Sequence, residues 1–89
     1  MSELDNILAE RGETHGYFKS VAKTSQELKQ VMRSTPNWDR LSADQKESLE
    51  MNASKVARIL NGNYMWHDSW FDLAGYATLV ANTLEKPHD

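Results

Sequence analysis

The stretch SADQKESLEMNASKVARILNGN (residues 42–63) decides the fold. Its first four residues, Ser42-Ala43-Asp44-Gln45, form a capping-box pattern. A serine hydroxyl accepts from the backbone N–H three residues on, and a glutamine reaches back to the cap. Its last three, Asn61-Gly62-Asn63, are helix-stop punctuation of the positive-φ kind. Between them Leu49, Ala53, Val56, Ala57 and Leu60 recur at three- and four-residue steps. That recurrence puts an apolar stripe on one face, so a helix is predicted from the Ser42 cap to about Leu60.

Working outward, Trp38 and Leu41 fall in a loop expected to be pinned onto the core. Ser34-Thr35-Pro36-Asn37 closes an earlier helix, because the residue before a proline disfavours helix. That helix reads from about Tyr17 to Arg33, with Phe18, Val21, Ala22, Ser25, Leu28 and Met32 inward. Glu13 to Tyr17 reads as a loop or tight corner holding His15. A first short helix is predicted from Glu3 to Arg11, capped by Ser2 and stopped by Gly12, with Leu4, Ile7 and Leu8 as its stripe. On the other side, Asp68 or Ser69 is expected to cap a fourth helix reaching about Glu85, before Pro87. Trp70, Leu73, Ala74, Ala77, Val80 and Leu84 form its expected core stripe, and residues 86–89 a frayed tail. No alternating strand and no tandem repeat is present. The fold class is therefore all-α: a small antiparallel bundle of three main helices plus a short N-terminal one, in a single domain over 1–89.

The chain has 89 residues, no cysteine and a formal net charge of -3. A chain this short buries only about 60% of its unfolded surface. With no disulfide to help, self-association into a homo-oligomer is expected. The lack of cysteine excludes thiolate zinc sites and cysteine nucleophiles. The negative charge argues against direct DNA binding, which rests on Lys/Arg neutralising phosphates. No apolar run approaches the ~20 residues of a membrane span, so no membrane partner is expected. The segment Met1-Ser2-Glu3-Leu4-Asp5 lacks the basic and apolar regions of a signal peptide, so a cytoplasmic location is expected.

Four groups of residues could carry chemistry. Glu47 and Glu50, three apart, share one side of the third helix; Asp68 and Asp72, four apart, share one side of the fourth. Carboxylates on facing bundle helices are a common way to hold a hard cation such as magnesium. Antiparallel packing, however, sets Asp68 and Asp72 beside Lys55 and Arg58, with Glu47 and Glu50 roughly two turns away along the axis. The competing reading is first-turn acids in solvent and salt bridges to Lys55 and Arg58. Lys55 and Arg58, one turn apart, could equally bind phosphate, as could Arg11 and His15 near Gly12 and Gly16. His15, His67 and His88 show no zinc-ligand spacing. Trp66, Trp70 and Tyr76 crowd one region with Tyr64 and Phe71, as base-stacking platform, core or partner surface. Gly75 costs its helix about 1 kcal/mol against alanine, which points to close approach of another helix.

Taken in order, ERGETHGYF (10–18), NWDRL (37–41), QKESLEM (45–51), ASKVARILNG (53–62) and DSWFDLAGYA (68–77) span nearly the whole chain. In these segments the chain resembles a family of small bacteriophage and prophage proteins. That family is distantly similar to the MazG-type all-α nucleoside triphosphate pyrophosphohydrolases. Those enzymes hold magnesium with a Glu-x-x-Glu motif followed by a Glu-x-x-Asp motif. Glu47-x-x-Glu50 matches the first motif; the second is replaced here by Asp68-x-x-x-Asp72. If phage-encoded, the chain would act in the host cytoplasm.

Two functions follow as expectations. One is a non-catalytic helical protein that binds a nucleotide or a host protein. The alternative is a magnesium-dependent nucleoside triphosphate pyrophosphohydrolase, with Glu47, Glu50, Asp68 and Asp72 as metal ligands.

Overall fold

The computed structural model describes residues 2–86. Four helices follow one another: α1 Glu3–His15, α2 Phe18–Arg33, α3 Ala43–Asn61 and α4 His67–Ala81. A 3-10 turn at Trp38–Arg40 lies between α2 and α3. No strand occurs among the described residues. The all-α class read from the pattern is the class observed.

The start of α3 is the capping box that the sequence predicts. The Gln45 N–H donates to Ser42 Oγ at 3.2 Å, and the Ser42 N–H donates to Gln45 Oε1 at 2.9 Å. A second reciprocal box, Ser2 with Asp5, opens α1. Trp38 is buried against the bundle, with Lys46 Nζ 6.0 Å from its ring centroid, so the turn before α3 is pinned as expected.

α3 is the centre of the molecule. α2 packs antiparallel along one of its sides and α4 along the other, while α2 and α4 have no packed face in common. The α2–α3 register is marked by the Ser25 and Ser54 hydroxyls at 3.3 Å, by Asn61 Nδ2 donating to Thr24 Oγ1 at 3.0 Å, and by Arg33 to Glu50 at 3.0 Å. The α3–α4 register is marked by Ser48 Oγ donating to the Tyr76 carbonyl at 2.9 Å. Ala53 and Ala57 lie at the middle of α3 and are buried. Their small side chains let a helix approach on either side. α1 folds across the C-terminal end of α3 and contacts α2.

The core is thin. Its buried apolar residues are Val21, Trp38, Ala53, Ala57 and Ile59, joined by Ser25, Ser48 and Ser69. The body measures 57 × 27 × 19 Å. Its radius of gyration is 15.7 Å, against about 12 Å for a compact chain of this length.

Several sequence expectations are corrected. α1 does not stop at Gly12 but runs to His15, so His15 sits in a helical turn and not in a loop. Gly16, at φ +88, is the residue that ends it. Asn61-Gly62-Asn63 does end α3, but without a positive φ: Gly62 is at φ -130. α4 begins at His67 with Trp66 as cap, so neither Asp68 nor Ser69 caps it, and it ends at Ala81, short of Glu85. The inward side of α4 is Ser69, Asp72, Leu73, Tyr76 and Val80, whereas Trp70, Ala74, Ala77 and Leu84 are exposed. Phe18, Leu49 and Leu60 likewise point to solvent. Of residues 86–89, the tail expected to fray, 87–89 lie outside the described residues, His88 among them.

Candidate functional site

The crossing of α1 over the end of α3 builds the site. Two glycines make the crossing possible. A Cβ on Gly16 would strike the Asn61 backbone, and one on Gly62 would come within 2.6 Å of the Gly16 nitrogen. The Asn63 N–H donates to the Thr14 carbonyl at 2.9 Å, fastening the C-terminal ends of α1 and α3 together. Asn61 Nδ2, held also by the Ala57 carbonyl at 2.8 Å, ties the same end of α3 to α2.

Beside this crossing a cleft of about 830 Å³ opens between α1, the first turns of α2, and α3. Its apolar wall is Leu8, Tyr17, Phe18 and Val21; its polar side is Arg11, Glu13, His15 and Arg58. A concave, largely apolar space of this size with a few convergent polar groups is the usual form of a small-molecule site.

The cationic side is assembled from two helices. Arg11 and His15 are four apart and share a side of α1. Arg58 comes from α3. Among the described residues neither Arg11 nor Arg58 pairs with a carboxylate, so both guanidinium groups are available. His15 Nδ1 is buried and has no hydrogen-bond partner. Burial of the imidazole, reinforced by the charges of Arg58, Lys55 and Arg11, holds its pKa below the ordinary histidine value. Burial thus favours the neutral ring, and Nδ1 has no partner within the chain among the described residues. All four residues expected from sequence to bind phosphate, Arg11, His15, Lys55 and Arg58, therefore belong to one electrostatic neighbourhood. Lys55 is its outer member, because Nζ is taken by Asp72 Oδ2 at 2.8 Å.

The wall residues Tyr17 and Phe18 were not expected as site residues. The spacing of α2 places Phe18 on its inner face, yet the start of α2 extends past α3 and leaves both rings exposed. No sequence signal marks this.

The acidic residues are not brought together. Among the described residues no three His, Asp or Glu groups converge to hold a metal ion. Glu50 is bound by Arg33 of α2 at 3.0 Å. Asp72 is bound by Lys55, not by Arg58. Asp68 meets only His67 at 3.3 Å, and Glu47 is exposed. Antiparallel packing separates the two pairs along the axis, as the helix rise requires.

The aromatic group divides in two. Trp70 is exposed over its ring, but its indole N–H donates to the Tyr64 carbonyl at 2.7 Å and closes the α3–α4 connection. Tyr76 is half-buried against α3, and Trp66 is exposed. Gly75 has nothing within 4 Å of where a Cβ would stand, so no helix of the same chain approaches it.

Comparison with protein-family models, with curated proteins and with solved structures finds no match to this chain. Among the described residues no helix is long and apolar enough to cross a membrane.

Proposed function

We propose that this chain is a non-catalytic binding protein that holds a nucleotide-type ligand in the cleft between α1, α2 and α3. One observation carries the reading: Arg11 and Arg58, both without carboxylate partners, face one cleft together with a buried, unpartnered His15 Nδ1. Two guanidinium groups suit a phosphate, since each can donate to it bidentately. The exposed rings of Tyr17 and Phe18 suit a base, because every base offers a π face for stacking. The distant similarity to nucleoside triphosphate pyrophosphohydrolases expected from the sequence would imply the same ligand class. Turnover forms no part of the reading: Glu50 and Asp72 are each engaged by a cation of a neighbouring helix, and Glu47 and Asp68 stand apart from them.

The test is calorimetric titration of the protein with a panel of nucleoside mono-, di- and triphosphates, with and without magnesium. Binding that Arg58→Gln weakens at least tenfold, without release of phosphate or pyrophosphate, supports the reading. Absence of heat with every member of the panel overturns it. Magnesium-dependent release of pyrophosphate, lost in Glu50→Gln, would establish the hydrolase instead.

A further inference from the structure

The molecule exposes more surface than a monomer of its mass should. Its accessible area is 7194 Å², about 1,900 Å² above the value expected for a folded monomeric chain of this size. A standard protein interface takes about 800 Å² from each partner. The unburied surplus is therefore large enough for one such interface.

Part of that surplus lies on α4, where Trp70, Phe71 and Leu79 are exposed. Asp68 and Asp72 are its carboxylates, it carries no lysine or arginine, and Asp72 is neutralised by Lys55. Its outer face runs through Phe71, Ala74, Gly75, Thr78 and Leu79, all exposed. A shallow groove of about 310 Å³ lies on this face, lined by Phe71, Asp72, Gly75, Tyr76 and Leu79. Phe71 and Leu79 are each four residues from Gly75, one to either side, so all three lie on one stripe of the helix. Gly75, which weakens its helix, has open space before it.

We propose that this face of α4 is the interface of a homodimer, its occupant the α4 of a second copy of this chain. Two copies crossing antiparallel at Gly75 set each Phe71 against Leu79 of the second copy. The arrangement is self-complementary, as a two-fold interface must be. The missing side chain at Gly75 lets the two helices approach closely at the crossing. Between Phe71 and Leu79 the only charge is Asp72, which Lys55 neutralises, and the exposed Asp68 lies seven residues from Gly75. Two chains of net charge -3 that cross antiparallel at Gly75 therefore meet there without like-charge contact.

Sedimentation velocity of the full chain over the micromolar range tests this. The wild type is expected to sediment as a dimer. Gly75→Leu, whose side chain has free space in the monomer but fills the crossing, and Leu79→Glu should each raise the dissociation constant at least tenfold with helical circular dichroism unchanged. A wild type that stays monomeric throughout overturns the proposal. So does a dimer that both variants leave intact, which a different face would hold. Should Leu79→Glu disturb the fold, Gly75→Leu alone decides.

Discussion

Gly16 and Gly62 meet backbone against backbone where α1 crosses the end of α3, so close that a Cβ on Gly62 would stand 2.6 Å from the Gly16 nitrogen. Gly16 carries a second constraint, its φ of +88. Gly16→Ala should therefore cost about 1–3 kcal/mol from backbone strain, before any clash with Asn61 is counted. Gly62→Ala has no such φ and acts by sterics alone, pushing α1 off α3. Both variants should lower the denaturation midpoint, and both should weaken ligand binding in the cleft. Chemical denaturation paired with titration of each variant checks this. A Gly62→Ala protein with unchanged stability would contradict the close approach.

Gly12 makes the opposite case. It lies inside α1 with nothing within 4 Å of a Cβ position, so its flexibility serves no packing in the monomer. Gly12→Ala should stabilise the protein by about 0.5–1 kcal/mol, the usual helix-interior difference. The denaturation midpoint reports it. Destabilisation would mean that a neighbour occupies the space.

The ion pair between Lys55 and Asp72 joins α3 to α4 at 2.8 Å with the lysine largely covered. Asp72→Asn leaves that cation without its counter-charge. The expected cost is about 1–2 kcal/mol, between the value for an exposed pair and that for a fully buried one. Glu50→Gln, which breaks the more exposed pair with Arg33, should cost less than about 1 kcal/mol. Equal losses in the two variants would contradict this ordering.

His15 makes stability depend on pH. Folding lowers its pKa, first through burial and then through Arg58, Lys55 and Arg11, so the neutral ring is the folded form. As pH falls, the unfolded chain takes up a proton first, near the usual histidine value of about 6.5. The contribution is whole above that value and is lost as pH drops from there towards the lowered folded value. His15→Gln should flatten this slope, as measured by denaturation at a series of pH values. An unchanged slope would place its origin in another group. A phosphate bound beside the ring should raise the His15 pKa again, and a proton taken up on binding would show it.

The fold was readable where local chemistry is decisive. Ser42 and Gln45 cap α3 because the hydroxyl and amide answer backbone groups a fixed three residues apart. The antiparallel course of α4 was readable, but its inward face was not. That helix is apolar on nearly every side, so periodicity assigns Trp70 and Ala74 no better than Leu73 and Tyr76. Ser48 and Ser69 are buried with no signal in the pattern, Ser48 satisfied by a carbonyl of a helix distant in sequence, whereas Ser25 is buried as its spacing on α2 predicts. At the site, Arg11, His15 and Arg58 were legible as phosphate-binding candidates from residue type alone. That they share a cleft depends on Gly16 ending α1 in place of Gly12, a choice made by the close contact with Asn61 and Gly62.

The cleft beside the α1–α3 crossing is proposed to bind a phosphate-bearing ligand. Amide chemical-shift mapping by NMR during titration with nucleoside triphosphate tests it most directly. Saturable shifts are expected at Arg11, His15, Tyr17, Phe18 and Arg58, which Arg58→Gln suppresses while the rest of the spectrum stays in place. No shifts on titration, or shifts confined to α4 and the carboxylates Glu47 and Glu50, would contradict it.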